Sequence, residues 1–260
     1  MKNTKKAFEK LRILWKGAKW NIFIRRWLGR RRSSTWIEEL GYKLMGYRKK
    51  SLLGDIGRRL PGFYNVPRKE INIDDEIDLS GGVEINQGKI GSCACCTLCA
   101  ILQDYIIRET KDKTIEVDWQ TMWNDMKSLG LADDRKGSYL EDNLWYAQKY
   151  GLPDSKGNFW KIDKLERISR NDIAKYVRMG YQVYTGAGVG SPMCDKNWYF
   201  KIGQRKYYHA FRVVGIREKM SLLFETTWLN YGYKRESQFF GHLNDTNSFM
   251  SPYVMTWKKI

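Results

Sequence analysis

Cys93 closes the run Asn86-Gln87-Gly88-Lys89-Ile90-Gly91-Ser92-Cys93-Ala94, where a glycine-rich loop feeds an apolar stretch of helical character. A thiol in the first turn of a helix sits at the positive end of the macrodipole, beside backbone N–H groups with no intrahelical partner. Thiolate, the nucleophilic form, is favoured there, and a nearby protonated histidine can lower a cysteine pKa from about 8.5 to about 3.5–7.5. Gln87 lies earlier, across a loop made tight by Gly88 and Gly91. Its amide could donate, together with the Cys93 backbone N–H, to an oxygen that becomes negative during attack on a carbonyl. The chain holds two histidines. His242 stands in a polar, loop-like context, whereas His209 stands in a run rich in Tyr, Phe and Val, which makes it the candidate base. Alone, a helix cysteine is usually a small hydrophobe, and a strand histidine is usually a core residue. Thiol, amide, glycine spacing and imidazole together point to nucleophilic catalysis.

The segment resembles the nucleophile motif of the papain-like cysteine peptidases, in which Gln-Gly-x-x-Gly-Ser-Cys carries the oxyanion donor and the nucleophile. Two positions depart from that motif: Ile90 replaces a cysteine and Ala94 replaces an aromatic residue. The missing cysteine removes a disulfide of the family. Further likenesses follow in the same order along the chain. Gly137-Ser138-Tyr139-Leu140, with Ala147, Tyr150 and Gly151-Leu152 after it, is similar to the stretch whose glycines align substrate backbone. Tyr208-His209-Ala210-Phe211-Arg212-Val213-Val214-Gly215-Ile216 is similar to the strand that carries the catalytic histidine, and Thr226-Thr227-Trp228 stands where the family has Asn-Ser-Trp. The resemblance covers residues 60–260 in outline and is sharp at these four places. It implies a peptidase with Cys93 as nucleophile, His209 as base, Gln87 as oxyanion donor, and Gly137 and Ser138 along the substrate. It needs no cofactor, and its substrate is a protein or peptide. Thr226 in place of Asn leaves the residue that orients His209 open: the Thr226 hydroxyl or the neighbouring Glu225 could serve.

The elements that must position these groups are legible in outline. Ser92 can cap a helix from Cys93 to about Arg108, apolar on nearly every face and so buried. Asp118 opens another, with Trp119, Met122, Trp123 and Met126 on one side. Ser138-Tyr139-Leu140-Glu141 has the pattern of a capping box, for a helix that stops at Gly151. Asn171 is expected to cap one more, ending near Gly180. Strands are expected over Gln182–Ala187, Tyr207–Arg217, Ser221–Trp228 and Tyr253–Lys259. Helices first and strands afterwards imply an α+β fold with a helical lobe, an antiparallel β lobe and a cleft between them.

The charge is uneven. Residues 1–59 carry eighteen Lys/Arg against Glu9, Glu38, Glu39 and Asp55, a net +14 of the chain's +17. We therefore expect two parts, a basic extension over 1–59 and a catalytic domain over 60–260. Within the extension, Phe8, Leu11, Trp15, Ala18 and Ile22 predict an amphipathic helix over 4–28, and Trp36 to Met45 predicts a second. Such a segment suits an acidic partner, nucleic acid, an anionic membrane, or its own catalytic domain as an inhibitory strap. It also suits assembly into a larger particle such as a virion. Lys16, Lys19, Arg25 and Arg26 interrupt its apolar residues, which argues against a signal peptide or a membrane span. Five cysteines, four of them within Cys93–Cys99, make a poor disulfide framework and imply a reducing, cytoplasmic setting or an intracellularly assembled particle. Zinc wants four converging ligands, and one helix spreads Cys93, Cys95, Cys96 and Cys99 around its circumference, so core packing is expected and no metal. Three alternatives to a peptidase remain at this point: a catalytically silent papain-like protein, an amidase acting on peptidoglycan or isopeptide bonds, and a nucleic-acid-binding protein.

Overall fold

The computed structural model divides the chain into two units, Met1–Arg59 and Leu60–Ile260. It describes residues 65–70, 76–81, 84–194, 199–202, 207–217, 221–228, 238–242 and 249–260, all in the second unit. The helices expected over 4–28 and 36–45 lie outside these residues.

Helix α1 spans Cys93–Thr110, and its thirteen buried residues lie on every side, because it runs through the first of two cores and against β8. It stops at Lys111, which takes the left-handed conformation (φ 60°) and returns its N–H to the Ile107 carbonyl at 2.8 Å. Helix α2 spans Trp119–Ser128 and is capped as expected: Asp118 Oδ1 accepts from the Thr121 N–H at 2.9 Å. Met122, Trp123 and Met126 form its buried stripe. Helix α3 spans Leu140–Lys149 and ends before Gly151, whose φ of +83° a side chain would resist. The capping box does not form. Tyr139 is the cap, and Ser138 lies in a short strand where its Oγ accepts from Asn143 Nδ2 at 2.9 Å. A 3-10 turn over Arg170–Asp172 leads into α4, Ile173–Arg178. Ser169 rather than Asn171 caps that turn, with its hydroxyl accepting from the Asn171 N–H at 3.3 Å.

Strands β1 (Ile77–Asp78), β2 (Ala132–Asp133), β3 (Gly137–Ser138), β4 (Leu152–Pro153) and β5 (Phe159–Arg167) precede α4; β6 (Val183–Cys194), β7 (Phe200–Ile202), β8 (Tyr207–Arg217), β9 (Ser221–Glu225), β10 (Gln238–His242) and β11 (Tyr253–Lys259) follow it. The main sheet runs β10-β9-β8-β6-β11-β5-β4, with β1 on β8 and β7 on β6; every pair given is antiparallel. β8 and β11 have the expected bounds. β6 runs past Ala187, and β9 stops at Glu225, because the chain turns there to deliver Thr226–Trp228 to the site. β5 was not expected: its sequence Phe-Trp-Lys-Ile-Asp-Lys-Leu-Glu-Arg is rich in charge, yet Trp160, Ile162 and Leu165 reach the core from it. His242 belongs to β10 rather than to a loop.

Two cores result. In the first, Leu98, Leu102 and Ile106 of α1 pack with Met122, Trp123 and Leu144, and Leu165 and Trp257 close the back. In the second, Ile173 and Val177 of α4 cover Val183, Phe211, Val213 and Phe224, with Phe249 among them. Phe211, Phe224 and Phe249 meet edge to face at 5.2–5.6 Å between centroids; each such pair contributes about 0.5–1.5 kcal/mol beyond burial. α1 is tied to the β lobe at its head: Tyr184 Oη donates to the Ala94 carbonyl at 2.9 Å, and Thr97 Oγ1 to the Ala210 carbonyl at 3.3 Å. No helix among the described residues is long and apolar enough to cross a membrane.

Candidate active site

The loop before α1 is shaped by its glycines. Gly88 has φ +65°, and its N–H donates to Asn86 Oδ1 at 2.9 Å. Gly91 donates to the Asp134 carbonyl at 2.8 Å, and a Cβ there would stand 2.9 Å from the Gly137 nitrogen. Only glycine lets this loop lie against β3 at Gly137. Ser92 caps α1 through its backbone, its carbonyl accepting from the Cys96 N–H at 2.9 Å; its side chain makes no cap bond and lies 3.4 Å from Cys96 Sγ.

Cys93 is the first residue of α1 and is partly exposed. Its thiol lies against the backbone N–H of Ala210, the residue after His209, and against the N–H groups of Ala94 and Cys93 itself. The head of α1 and strand β8 thus meet at Ala210, the residue next to His209 in the chain. His209 is 1% exposed, and its ring is stacked on Trp228 with centroids 3.7 Å apart and planes 15° from parallel. Among the described residues neither ring nitrogen has a hydrogen-bond partner. Burial pushes the Cys93 thiol up, and those N–H groups offset only part of that rise. Burial also lowers His209 to about 3. Both groups are therefore neutral at pH 7, which corrects the expectation of a resting thiolate.

Gln87 is 3% exposed and held from three sides. Its Nε2 donates to the Ile90 carbonyl at 2.9 Å, its Oε1 accepts from Thr227 Oγ1 at 2.7 Å, and its N–H donates to the Thr227 carbonyl at 3.0 Å. The Ile90 carbonyl, which can only accept, fixes which end of the amide donates. Neither candidate for orienting His209 does so by a hydrogen bond. Thr226 Oγ1 accepts from the Trp228 N–H at 3.4 Å, and Glu225 is paired with Arg212 at 2.6 Å in the interior. Trp228 and Thr227 are the contacts that sequence reasoning missed, although the tripeptide Thr226-Thr227-Trp228 was marked. Beside these groups in sequence, Tyr139 is 55% and Tyr208 69% exposed.

Cys95, Cys96 and Cys99 are fully buried and not disulfide-bonded. The Cys95 thiol reaches the Trp119 carbonyl at 3.5 Å, and that of Cys99 reaches Met122 Sδ at 3.7 Å. No group of three or more His, Cys, Asp or Glu converges on a point among the described residues.

The neutral imidazole carries a pH signature. As pH falls from 6.5 towards 3 the unfolded chain takes up a proton at this histidine and the folded chain does not, so stability falls with pH across that window. Between pH 7 and pH 5 the native protein should lose about 2 kcal/mol more than His209→Gln in urea unfolding. Equal losses in the two proteins would mean that His209 is not held neutral.

A central helix with cysteine at its head, facing a β lobe whose strand supplies histidine, is the fold of the papain-like cysteine peptidases. Solved structures bear this out. Xylellain, a cysteine protease from Xylella fastidiosa, superposes with a TM-score of 0.61 at 16% identity over 75% of this chain and 91% of its own. A cysteine protease from Carica candamarcensis gives 0.57 at 16% identity over 71% and 99%. Digestive procathepsin L 3 of Tenebrio molitor gives 0.60 at 12% identity over 93% and 100%. No protein-family model and no curated protein matches the sequence.

Proposed function

We propose that the chain is a thiol hydrolase that cleaves peptide bonds, with Cys93 as nucleophile and His209 as general base. The observation that carries this reading is the Cys93 thiol at the head of α1, against the Ala210 N–H and one residue from His209. Cys93 Sγ attacks the substrate carbonyl carbon while its proton passes to a ring nitrogen of His209. The oxygen that becomes negative is met by the Cys93 N–H and the second N–H of Gln87 Nε2, whose first is spent on Ile90. His209 then returns the proton to the leaving amine as the C–N bond breaks. Water, deprotonated by the same ring, releases the acyl group from sulfur. Gly137 and Ser138, beside the Gly91 loop, align the substrate backbone. Trp228 holds the base by stacking, in place of a hydrogen bond from Thr226. The net +14 of residues 1–59 supports contact of that extension with an anionic partner.

The test is covalent. An epoxide-type inhibitor of thiol peptidases should label the full chain at Cys93 and block hydrolysis of a denatured protein, and Cys93→Ser should do neither. The absence of both hydrolysis and labelling at neutral pH in folded protein would favour the second reading, a papain-like protein that binds without cutting. The unbonded His209 nitrogens favour that reading.

A further inference from the structure

One chemistry-bearing pattern is left over by hydrolysis: Cys93-Ala94-Cys95-Cys96 sets two thiols in a Cys-x-x-Cys spacing at the head of a helix. We propose that Cys93 and Cys96 are the site of a reversible disulfide, formed when peroxide reaches Cys93, the less buried of the two residues, and reduced again by a dithiol. The consequence, a nucleophile shut off and shielded from irreversible oxidation, rests on the role proposed for Cys93; the disulfide itself does not.

Residues three apart on a helix face the same way, with Cβ atoms about 5–6 Å apart. A disulfide wants about 3.5–4.5 Å between Cβ atoms, so the first turn must tighten. It can do so at low cost. The Cys96 N–H to Ser92 carbonyl bond is the first of the helix, and the N–H groups of residues 93–95 precede it without intrahelical partners to lose. A bond that holds some strain is easily reduced, as suits a reversible modification. Cys93 is partly exposed, whereas Cys96 is fully buried beneath it beside Ser92 Oγ. Bulk oxidant therefore meets Cys93 first. The remaining cysteines are placed for other partners: Cys95 faces Trp119, Cys99 lies nearly two turns along on Met122, and Cys194 belongs to the second core.

In the first step the Cys93 sulfur attacks one peroxide oxygen and the O–O bond breaks. Sulfur is oxidised by two electrons to the sulfenic acid, and the other oxygen leaves as water. In the second, Cys96 Sγ attacks Cys93 Sγ, the S–O bond breaks, and the departing hydroxide takes the Cys96 proton as a second water. Two thiols and one peroxide become one disulfide and two waters.

The full chain is treated with hydrogen peroxide, denatured, alkylated at its free thiols and digested with trypsin, which leaves residues 90–108 as one peptide with Cys93, Cys95, Cys96 and Cys99. We expect alkyl groups on Cys95 and Cys99 alone, and on all four after dithiothreitol. In Cys96→Ser, peroxide should carry Cys93 on to sulfinic acid, and thiol recovered at Cys93 by dithiothreitol should fall about tenfold against the native chain. Cys96→Ala replaces that variant if it does not fold. Sulfinic acid at Cys93 in equal yield in native chain and variant, or a disulfide between another pair, would overturn the proposal. Hydrolysis is assayed on the same samples. A Cys93–Cys96 disulfide in a protein that never hydrolyses peptide removes the hydrolase reading alone; hydrolysis without the disulfide removes this proposal alone.

Discussion

Exchanging His209 for glutamine should lower turnover of a peptide substrate by about 10⁴-fold, on the scale seen when one member of a Ser-His-Asp triad is removed. The reason lies in the resting charge. Burial raises the Cys93 thiol, so little thiolate waits at neutral pH. Attack on a carbonyl then depends on proton removal during the step, which the proposed mechanism assigns to the imidazole of His209. Glutamine fills the space under Trp228 without basicity. The pH profiles separate this account from a preformed ion pair. In the native chain the acid limb of kcat/KM should lie near pH 3–4, because His209 stays neutral down to about 3. In His209→Gln the residual rate should climb about tenfold per pH unit to beyond pH 9, following ionisation of a raised thiol. A variant rate that is flat between pH 5 and 8 would mean that Cys93 is a thiolate without help, and the general-base role would fall.

How much of this was written in the sequence depends on the range of each interaction. The Gln87–Cys93 segment could be read because its determinants are local: glycines that permit a turn and a close approach, and a thiol at the start of a helix. β8 and β11 were readable because β-branched and aromatic residues run through them. β5 was hidden by Lys161, Asp163 and Lys164, whose exposure is decided only when β11 pairs alongside. The resting charge state was misread for a related reason. Helix position favours thiolate, but the cost of burial comes from the whole β lobe closing over the thiol and ring, which no local pattern encodes. Long-range contacts also decide what orients the base. Thr226 and Glu225 are both near His209 in the strand order, yet Glu225 turns inward to Arg212, and it is Trp228, two residues past Thr226, that reaches the ring.

That inward turn leads to the largest stability effect we expect. Arg212 is 2% exposed; its Nη2 meets Glu225 Oε2 at 2.6 Å and its Nη1 meets Asp104 Oδ2 at 2.8 Å. Gln182 Nε2 donates to the same Asp104 oxygen at 2.6 Å and to the Leu79 carbonyl at 2.7 Å. One guanidinium thus joins α1, β8 and the end of β9, the last point fixed before Thr226–Trp228 reach Gln87 and His209. Arg212→Leu would remove from the interior the guanidinium that pairs with both Glu225 and Asp104, leaving Arg108 as a neighbouring charge of Asp104, and should cost about 3–5 kcal/mol in urea unfolding. That is a large share of the roughly 5–15 kcal/mol that holds a domain folded. Desolvation of the remaining charges, more than loss of a favourable bond, sets the size of the effect. Removing the charges together should therefore recover most of it: Asp104→Asn and Glu225→Gln added to Arg212→Leu should unfold closer to the native chain than Arg212→Leu alone. Arg212→Lys should fall between, because a single ammonium cannot reproduce the fork that reaches both acids. A cost below about 1 kcal/mol for Arg212→Leu would show that water relieves the two acids, as at exposed pairs, and the link from α1 to the Thr226–Trp228 turn would then have to come from packing alone.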